Sequence, residues 1–115
     1  MEIAVNQVED VAVATILVED LDAGNVADFR RDIAPVLEAH PRLVLDLSRL
    51  RFVDSSGLGA FISCLRKLNA AGGDLKLCCM SKPVRAVFEL VRMHRVFDIH
   101  DNPEEAVRAF DLAPK

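Results

Sequence analysis

The chain has 115 residues and a formal net charge of −4 at pH 7, and 51% of its residues are hydrophobic and 28% charged. These values indicate one globular domain with a single core and argue against a disordered chain. The sequence contains six Phe and neither Trp nor Tyr. Because few side chains could stack on bases and the net charge repels phosphates, we expect no nucleic-acid binding.

Neither membrane insertion nor secretion is indicated by the sequence. Every apolar stretch is interrupted by charge within about ten positions, which predicts no membrane-inserted segment. Residues 1–4 have neither the basic segment nor the apolar run of a signal peptide. Cys64, Cys78 and Cys79 are odd in number and include an adjacent pair, which is a poor framework for disulfides. We therefore expect a cytoplasmic protein whose cysteines serve as small apolar residues.

The first half of the chain predicts strands, a helix and a further strand. Apolar residues alternate over 3–8 and form a β-rich run over 11–18. They then recur at helical spacing over 26–37, and Pro41 marks the end of that helix. The nearly apolar run 43–47 is typical of a strand that is covered on both faces of a sheet.

The second half alternates helices with strands. The clearest apolar stripe of a helix lies at 58–68, and a buried strand is predicted at 75–80. A third helix follows over 84–91, with Ser81 as its expected N-cap. Residues 102–110 begin with Asn-Pro-Glu-Glu, which predicts a capped final helix. Strands that lead and then alternate with helices predict an α/β domain with a mixed sheet.

The segment Asp54–Gly59, with the sequence Asp-Ser-Ser-Gly-Leu-Gly, departs from local helix preferences. Glycines near a helix start cost up to ~1 kcal/mol each relative to alanine, and such departures often mark functional sites. On the functional interpretation, Gly57 and Gly59 leave Ser55 and Ser56 exposed and let another backbone approach. On the structural interpretation, the segment is a tight turn with a serine N-cap. From these residues alone, the tight turn is the commoner case.

This six-residue segment resembles the signature of the STAS domain family, the domain of bacterial anti-sigma factor antagonists. The resemblance implies a single STAS-like domain over residues 1–115, with a mixed β-sheet of about four to five strands and about four helices. It extends over nearly the whole chain, through Asp20-Leu21-Asp22, residues 43–48, Phe52-Val53, residues 72–75 and the segments 96–99 and 105–107.

The resemblance also implies roles for individual residues. In the family, the serine directly after the aspartate is phosphorylated by a partner anti-sigma factor that is also a serine kinase, and here that serine is Ser55. Asp22 and Asp54 correspond to acidic positions near the phosphorylated serine, and Ser56 is a second hydroxyl that caps the helix or contacts the partner. The expected partner-binding residues are Asp22, Asp54, Ser56, Gly57, Leu58 and Gly59.

The implied function is a phosphorylation-controlled binding switch. The unphosphorylated protein binds the anti-sigma kinase and frees the sigma factor, phosphorylation of Ser55 ends binding, and a serine phosphatase resets the protein. A phosphate adds a charge of about −1.5 to −2, which a helix N-terminus stabilises by ~0.3–1 kcal/mol. We therefore expect release without unfolding. The alternative is a STAS adaptor subunit of a stressosome-like or lipid-transport ABC complex, in which Ser55 is only a contact.

Catalytic and cofactor-binding interpretations find little support. Neither serine of the signature is flanked by the glycines of a nucleophile elbow, and no Gly-Lys-Ser/Thr follows Gly57-Leu58-Gly59. Ile62 stands where a dinucleotide fingerprint needs its third glycine. Cys78 and Cys79 lie in a predicted strand, so their side chains should point to opposite faces and should not share a metal. We expect a protein that is not an enzyme and holds no cofactor.

Overall fold

The computed structural model describes residues 1–112 and has the predicted α/β architecture with a mixed sheet. Its helices are α1 (Val26–Ala39), α2 (Ser55–Ala70), α3 (Lys82–Leu90) and α4 (Pro103–Leu112), and a 3-10 turn spans Met93–Arg95. Its strands are β1 (Ile3–Val8), β2 (Val11–Ile16), β3 (Asp20–Leu21), β4 (Arg42–Asp46), β5 (Phe52–Val53), β6 (Asp74–Cys78) and β7 (Asp98–His100). No helix within residues 1–112 has the length and apolar character needed to cross a membrane.

The main sheet has five strands in the order β1-β2-β4-β6-β7. β1 and β2 form an antiparallel hairpin, and every other neighbouring pair is parallel. Parallel neighbours need long crossover connections, and here α1, α2 and α3 supply them in turn. The carboxyl ends of β2, β4 and β6 therefore lie at one edge of the sheet, where the loops to the following elements begin.

The larger core lies between the sheet and helices α1, α2 and α3. Four phenylalanines cross it in contact, with ring centroids 5.7 Å apart for Phe29 and Phe61, 6.2 Å for Phe61 and Phe88, and 5.9 Å for Phe88 and Phe97. The apolar stripe predicted for α2 faces this core, and Phe61 at its centre is fully buried. These ring contacts pack α2 between α1 and α3.

The opposite face of the sheet is covered by α4, and its core is smaller and partly polar. Val107 and Phe110 of α4 pack over β2 and β4. Lys76 of β6 is 96% buried there: its Nζ lies 2.6 Å from Asp98 Oδ2 and 4.7 Å from the centroid of the Phe110 ring. The helix begins as the sequence predicts, because Asn102 Oδ1 accepts a hydrogen bond of 2.9 Å from the Glu105 N–H.

The structure differs from the sequence-based prediction at several element ends. β2 stops at Ile16 and β6 at Cys78, each two residues before the predicted end. Ser81 precedes α3 as predicted but makes no side-chain cap, because its Oγ donates to the Leu50 carbonyl at 2.9 Å. The connector before the signature contains β5, which pairs with β3 in a separate two-stranded sheet.

We predict that Phe61→Ala lowers the free energy of unfolding by about 3–5 kcal/mol, because the side chain is fully buried and contacts two other rings. Urea denaturation followed by circular dichroism measures this change. Phe52→Ala is the matched control: Phe52 is 49% exposed, so its loss should cost about 1 kcal/mol or less. Equal losses in the two variants would contradict this assignment of the core.

Candidate functional site

The short β3–β5 sheet brings two distant segments of the chain together. Leu21 pairs with Val53, and the Leu21 carbonyl accepts a hydrogen bond of 3.2 Å from the Asp54 N–H. The Glu19 carbonyl accepts from the N–H of Phe52 at 3.1 Å. As a result, the turn that follows β3 lies beside the first turn of α2. The sequence segments that contain Asp22 and Asp54 are thus neighbours in the fold.

Asp54 joins these two segments through its side chain. It is the N-cap of α2, and its Oδ1 accepts a hydrogen bond of 3.1 Å from the Gly57 N–H. Its Oδ2 accepts from the Ala23 N–H, also at 3.1 Å. The interpretation of the signature as a turn with a serine N-cap is therefore wrong, because the aspartate caps the helix and Ser55 is its first residue.

The turn after β3 is held by its own side chains. Asp22 Oδ1 accepts a hydrogen bond of 2.9 Å from the Gly24 N–H. Asn25 Oδ1 accepts from the Asp22 N–H at 3.0 Å, and Asn25 Nδ2 donates to the Asp20 carbonyl at 2.7 Å. These bonds fix the backbone that presents the Ala23 N–H to Asp54. Asp22 is half-buried, and its turn meets the helix start through the hydrogen bond from the Ala23 N–H to Asp54.

Ser55 is exposed at the first position of α2, and Ser56 is half-buried. Within the part of the chain that the structure describes, neither serine's N–H has an acceptor. A 16-residue helix also directs the positive end of its dipole at this point. The Ser55 hydroxyl is therefore accessible to an enzyme, and a phosphate on it would meet free N–H groups instead of a packed core.

The two glycines of the signature have different surroundings. A Cβ atom added to Gly57 would lie 2.6 Å from Val53 Cγ2 and 2.9 Å from the Leu21 carbonyl oxygen. The backbone that approaches Gly57 is thus the chain's own. A Cβ atom on Gly59 would have Arg30 Nη2, at 3.9 Å, as its nearest neighbour. Nothing within the described residues requires glycine there.

The six residues expected at the partner surface divide into two groups. Gly57 and Leu58 are buried, with Leu58 only 7% exposed, so they pack beneath the surface. The other four remain accessible in part: Asp22, Asp54, Ser56 and Gly59 are each half-buried.

Sequence reasoning missed Phe52 as a surface residue. Its neighbour Val53 is 1% exposed, whereas Phe52 itself is 49% exposed beside the start of α2. The signal was present in the sequence: neighbouring strand residues point to opposite faces, so two apolar residues in a half-covered strand cannot both be buried. The structure thus leaves an aromatic ring exposed three residues before Ser55 in the sequence.

The cysteines behave differently from one another. Cys64 is a core residue, as expected, and burial raises the pKa of its thiol to about 11. The expectation that Cys78 and Cys79 point to opposite faces is wrong. Cys79 lies beyond the end of β6 with a left-handed backbone, φ 66°, and its Sγ lies 3.5 Å from that of Cys78.

The sequence profile of the STAS domain matches residues 2–106. The chain belongs to the STAS domain family. An anti-sigma F factor antagonist of Paenibacillus polymyxa is 30% identical over 70 residues, which cover 61% of this chain and 60% of that relative. BtrV of Bordetella bronchiseptica, named as a candidate anti-sigma factor antagonist, is 30% identical over 94 residues, which cover 81% of each chain.

Solved structures confirm this fold. The anti-sigma factor antagonist SpoIIAA in its unphosphorylated form matches with a TM-score of 0.76 and 25% identity, covering 99% of this STAS domain and 100% of that chain. Bacillus SpoIIAA in its phosphorylated form matches with a TM-score of 0.67 and 25% identity, covering 95% and 99%. Both neighbours carry the name SpoIIAA, which in its unphosphorylated form is named an anti-sigma factor antagonist, so the adaptor alternative is not favoured.

We predict opposite effects for alanine at the two signature glycines of this STAS domain. Gly57→Ala should destabilise it by about 1–3 kcal/mol, because the methyl group would overlap Val53 and the Leu21 carbonyl. Gly59→Ala should leave stability unchanged or raise it by up to about 1 kcal/mol, since alanine is the better helix residue and has room. Thermal unfolding measures both. A Gly59→Ala variant less stable than Gly57→Ala would disprove this packing.

Proposed function

We propose that this protein is an anti-sigma factor antagonist that is switched by phosphorylation of Ser55. Unphosphorylated, it binds an anti-sigma factor serine kinase and thereby frees the sigma factor. Phosphorylated, it no longer binds, and a serine phosphatase restores the binding form. The observation that carries this proposal is the exposed Ser55 at the first turn of α2, held beside the Asp22 turn by the Asp54 carboxylate.

The proposed partner surface consists of Ser55 with its accessible neighbours. Asp22 and Asp54 add negative charge, Gly59 offers bare helix backbone, and the half-exposed ring of Phe52 offers an apolar contact. A kinase that docks here should present basic groups to the carboxylates, since complementary charge favours the encounter. The backbone or side chains of the kinase can approach α2 closely at Gly59, because glycine has no side chain.

Phosphorylation changes this surface without changing the fold. Ser55 Oγ would form its bond to the γ-phosphorus of ATP, ADP would leave, and the hydroxyl proton would pass to a base of the kinase. The phosphoserine then adds bulk and about −1.5 to −2 charges where the kinase surface fits a small neutral hydroxyl, next to the phosphates of the nucleotide that the kinase holds. Like charges at an interface cost several kcal/mol, and each 1.4 kcal/mol lowers affinity about tenfold.

The same phosphate is compatible with the isolated domain. The free N–H groups and the helix dipole at Ser55 stabilise an anion by ~0.3–1 kcal/mol. Ser55 is exposed, whereas the nearby α2 residues Leu58 and Phe61 are part of the buried core, so a phosphate on the Ser55 hydroxyl adds no charge to that core. The switch therefore lies in the interface and not in the folding equilibrium.

We predict that the cognate kinase phosphorylates one residue of this protein. Ser55→Ala should abolish phosphate incorporation, whereas Ser56→Ala should retain it, because Ser55 is exposed and Ser56 is half-buried. Mass spectrometry of the intact protein and of its peptides after incubation with kinase and ATP measures both. If Ser55→Ala were still phosphorylated and Ser56→Ala were not, Ser56 would be the phosphorylated residue and our assignment of Ser55 would be wrong.

Binding to the kinase should depend on charge at the same position. Ser55→Ala should bind with an affinity close to that of the wild type, and Ser55→Asp should bind at least about tenfold more weakly, since it adds negative charge at the interface. Isothermal titration calorimetry measures both constants. Asn69→Asp, at an exposed position in the last turn of α2, is the charge control and should bind more tightly than Ser55→Asp. Equal affinities of Ser55→Ala and Ser55→Asp for the kinase would contradict the proposal that charge at residue 55 controls binding.

A further inference from the structure

Three groups that can ligate a metal converge at the carboxyl ends of β4 and β6, on the α4 side of the sheet. Asp46 and Cys78 are register partners in neighbouring parallel strands, so their side chains project from the same face. Cys79, one residue beyond β6, turns back towards them. One carboxylate oxygen of Asp46 and the two Sγ atoms all lie within 4.8 Å of one another.

The backbone of the cysteine pair is held in place on both sides. The Cys78 carbonyl accepts a hydrogen bond of 3.0 Å from the Leu47 N–H, and the Cys79 N–H donates to the His100 carbonyl at 3.2 Å. Between these two bonds, the left-handed φ of 66° at Cys79 rotates its side chain towards Cys78. The two thiols are therefore close because of this backbone conformation, since adjacent residues in a regular strand would point to opposite faces.

An acidic cavity adjoins this cluster at Asp46. Asp46 also lines a cavity of about 480 Å³ between β1, β2 and the start of α4. The charged residues of its lining are four carboxylates and one guanidinium: Glu9, Asp46, Glu104, Asp111 and Arg108. An excess of negative charge in a concave site raises the local concentration of cations. Cys79 is itself half-buried, so its sulfur is within reach of the solvent.

We propose that Asp46, Cys78 and Cys79 bind one thiophilic divalent cation, with Zn²⁺ as the reference ion. Zn–S bonds of about 2.3 Å in a tetrahedral arrangement place two sulfurs ~3.8 Å apart, close to the observed separation of 3.5 Å. Two thiolates and a carboxylate give three ligands, which leaves a fourth position for water or an incoming group. Soft sulfur ligands select Zn²⁺ over Mg²⁺ and Ca²⁺.

Neighbouring groups orient the proposed ligands. Asp46 Oδ1 accepts a hydrogen bond of 2.9 Å from the Ser48 N–H, which fixes the carboxylate at the end of β4. A carboxylate has a second oxygen and further lone pairs for a cation. Such outer bonds commonly contribute 10- to 100-fold to metal affinity, on the order seen at protein zinc sites.

The test is Zn²⁺ titration of the reduced full chain in competition with a chelating dye. Wild-type protein should bind one equivalent. Cys79→Ser and Asp46→Asn should each weaken binding at least about tenfold, because each removes one charged ligand. Cys64→Ser is the matched control: it removes a buried thiol outside the cluster and should bind Zn²⁺ as the wild type does. Circular dichroism checks that each variant is folded.

Co²⁺ provides a second measurement, and the wild-type spectrum alone already tests for thiolate ligands without any variant. Bound to two thiolates, it should give a near-ultraviolet charge-transfer band, whose intensity should fall by about half in Cys79→Ser, since one of two sulfurs remains. The site is disproved if the wild type binds neither ion, if Cys79→Ser or Asp46→Asn keeps wild-type affinity, or if Cys64→Ser loses as much as they do. A Co²⁺ complex without the thiolate band would equally reject it.

Discussion

The candidate site depends on the two hydrogen bonds that the Asp54 carboxylate accepts. Its two oxygens accept hydrogen bonds from the Gly57 and Ala23 N–H groups, so one side chain caps α2 and holds the turn after β3. The negative charge of a carboxylate at a helix N-terminus also interacts favourably with the positive end of the helix dipole. Beside this carboxylate, the Leu21 carbonyl approaches Gly57 so closely that there is no room for a Cβ atom. Ser55 is exposed as a consequence of this packing.

The two faces of the main sheet differ in what covers them and in which candidate site they support. Helices α1, α2 and α3 cover one face with an apolar core, in which the chain of four phenylalanines supports the helix that presents Ser55. The other face has α4, a buried Lys76 paired with Asp98, and the cysteine cluster beside a cavity. The proposed kinase surface and the proposed metal site share no residue. Occupancy of one does not require atoms of the other.

Much of the fold could be predicted because its signals are local. Helical spacing placed α1 and α2, the Asn102 cap placed the start of α4, and the nearly apolar run placed β4. Resemblance of the segment 54–59 to the STAS signature singled out Ser55. The β3–β5 pair was not predicted, since strands of two residues have no periodicity of their own. Ser81 was predicted to cap α3, but its hydroxyl donates a hydrogen bond to the Leu50 carbonyl, which lies 31 residues away in sequence.

The sequence by itself determined the α/β order and the starts of α1 and α4, because neighbouring residues encode each of them, and the resemblance of its signature to the STAS family singled out Ser55 as the candidate. Only the tertiary structure decided that the Asp22 turn meets Asp54 across 31 positions, and that Gly57 accommodates the chain's own backbone. It also decided that Cys79 turns towards Cys78, against the alternation of a strand. Such outcomes depend on contacts between distant segments, and local periodicity carries no information about which segments will meet.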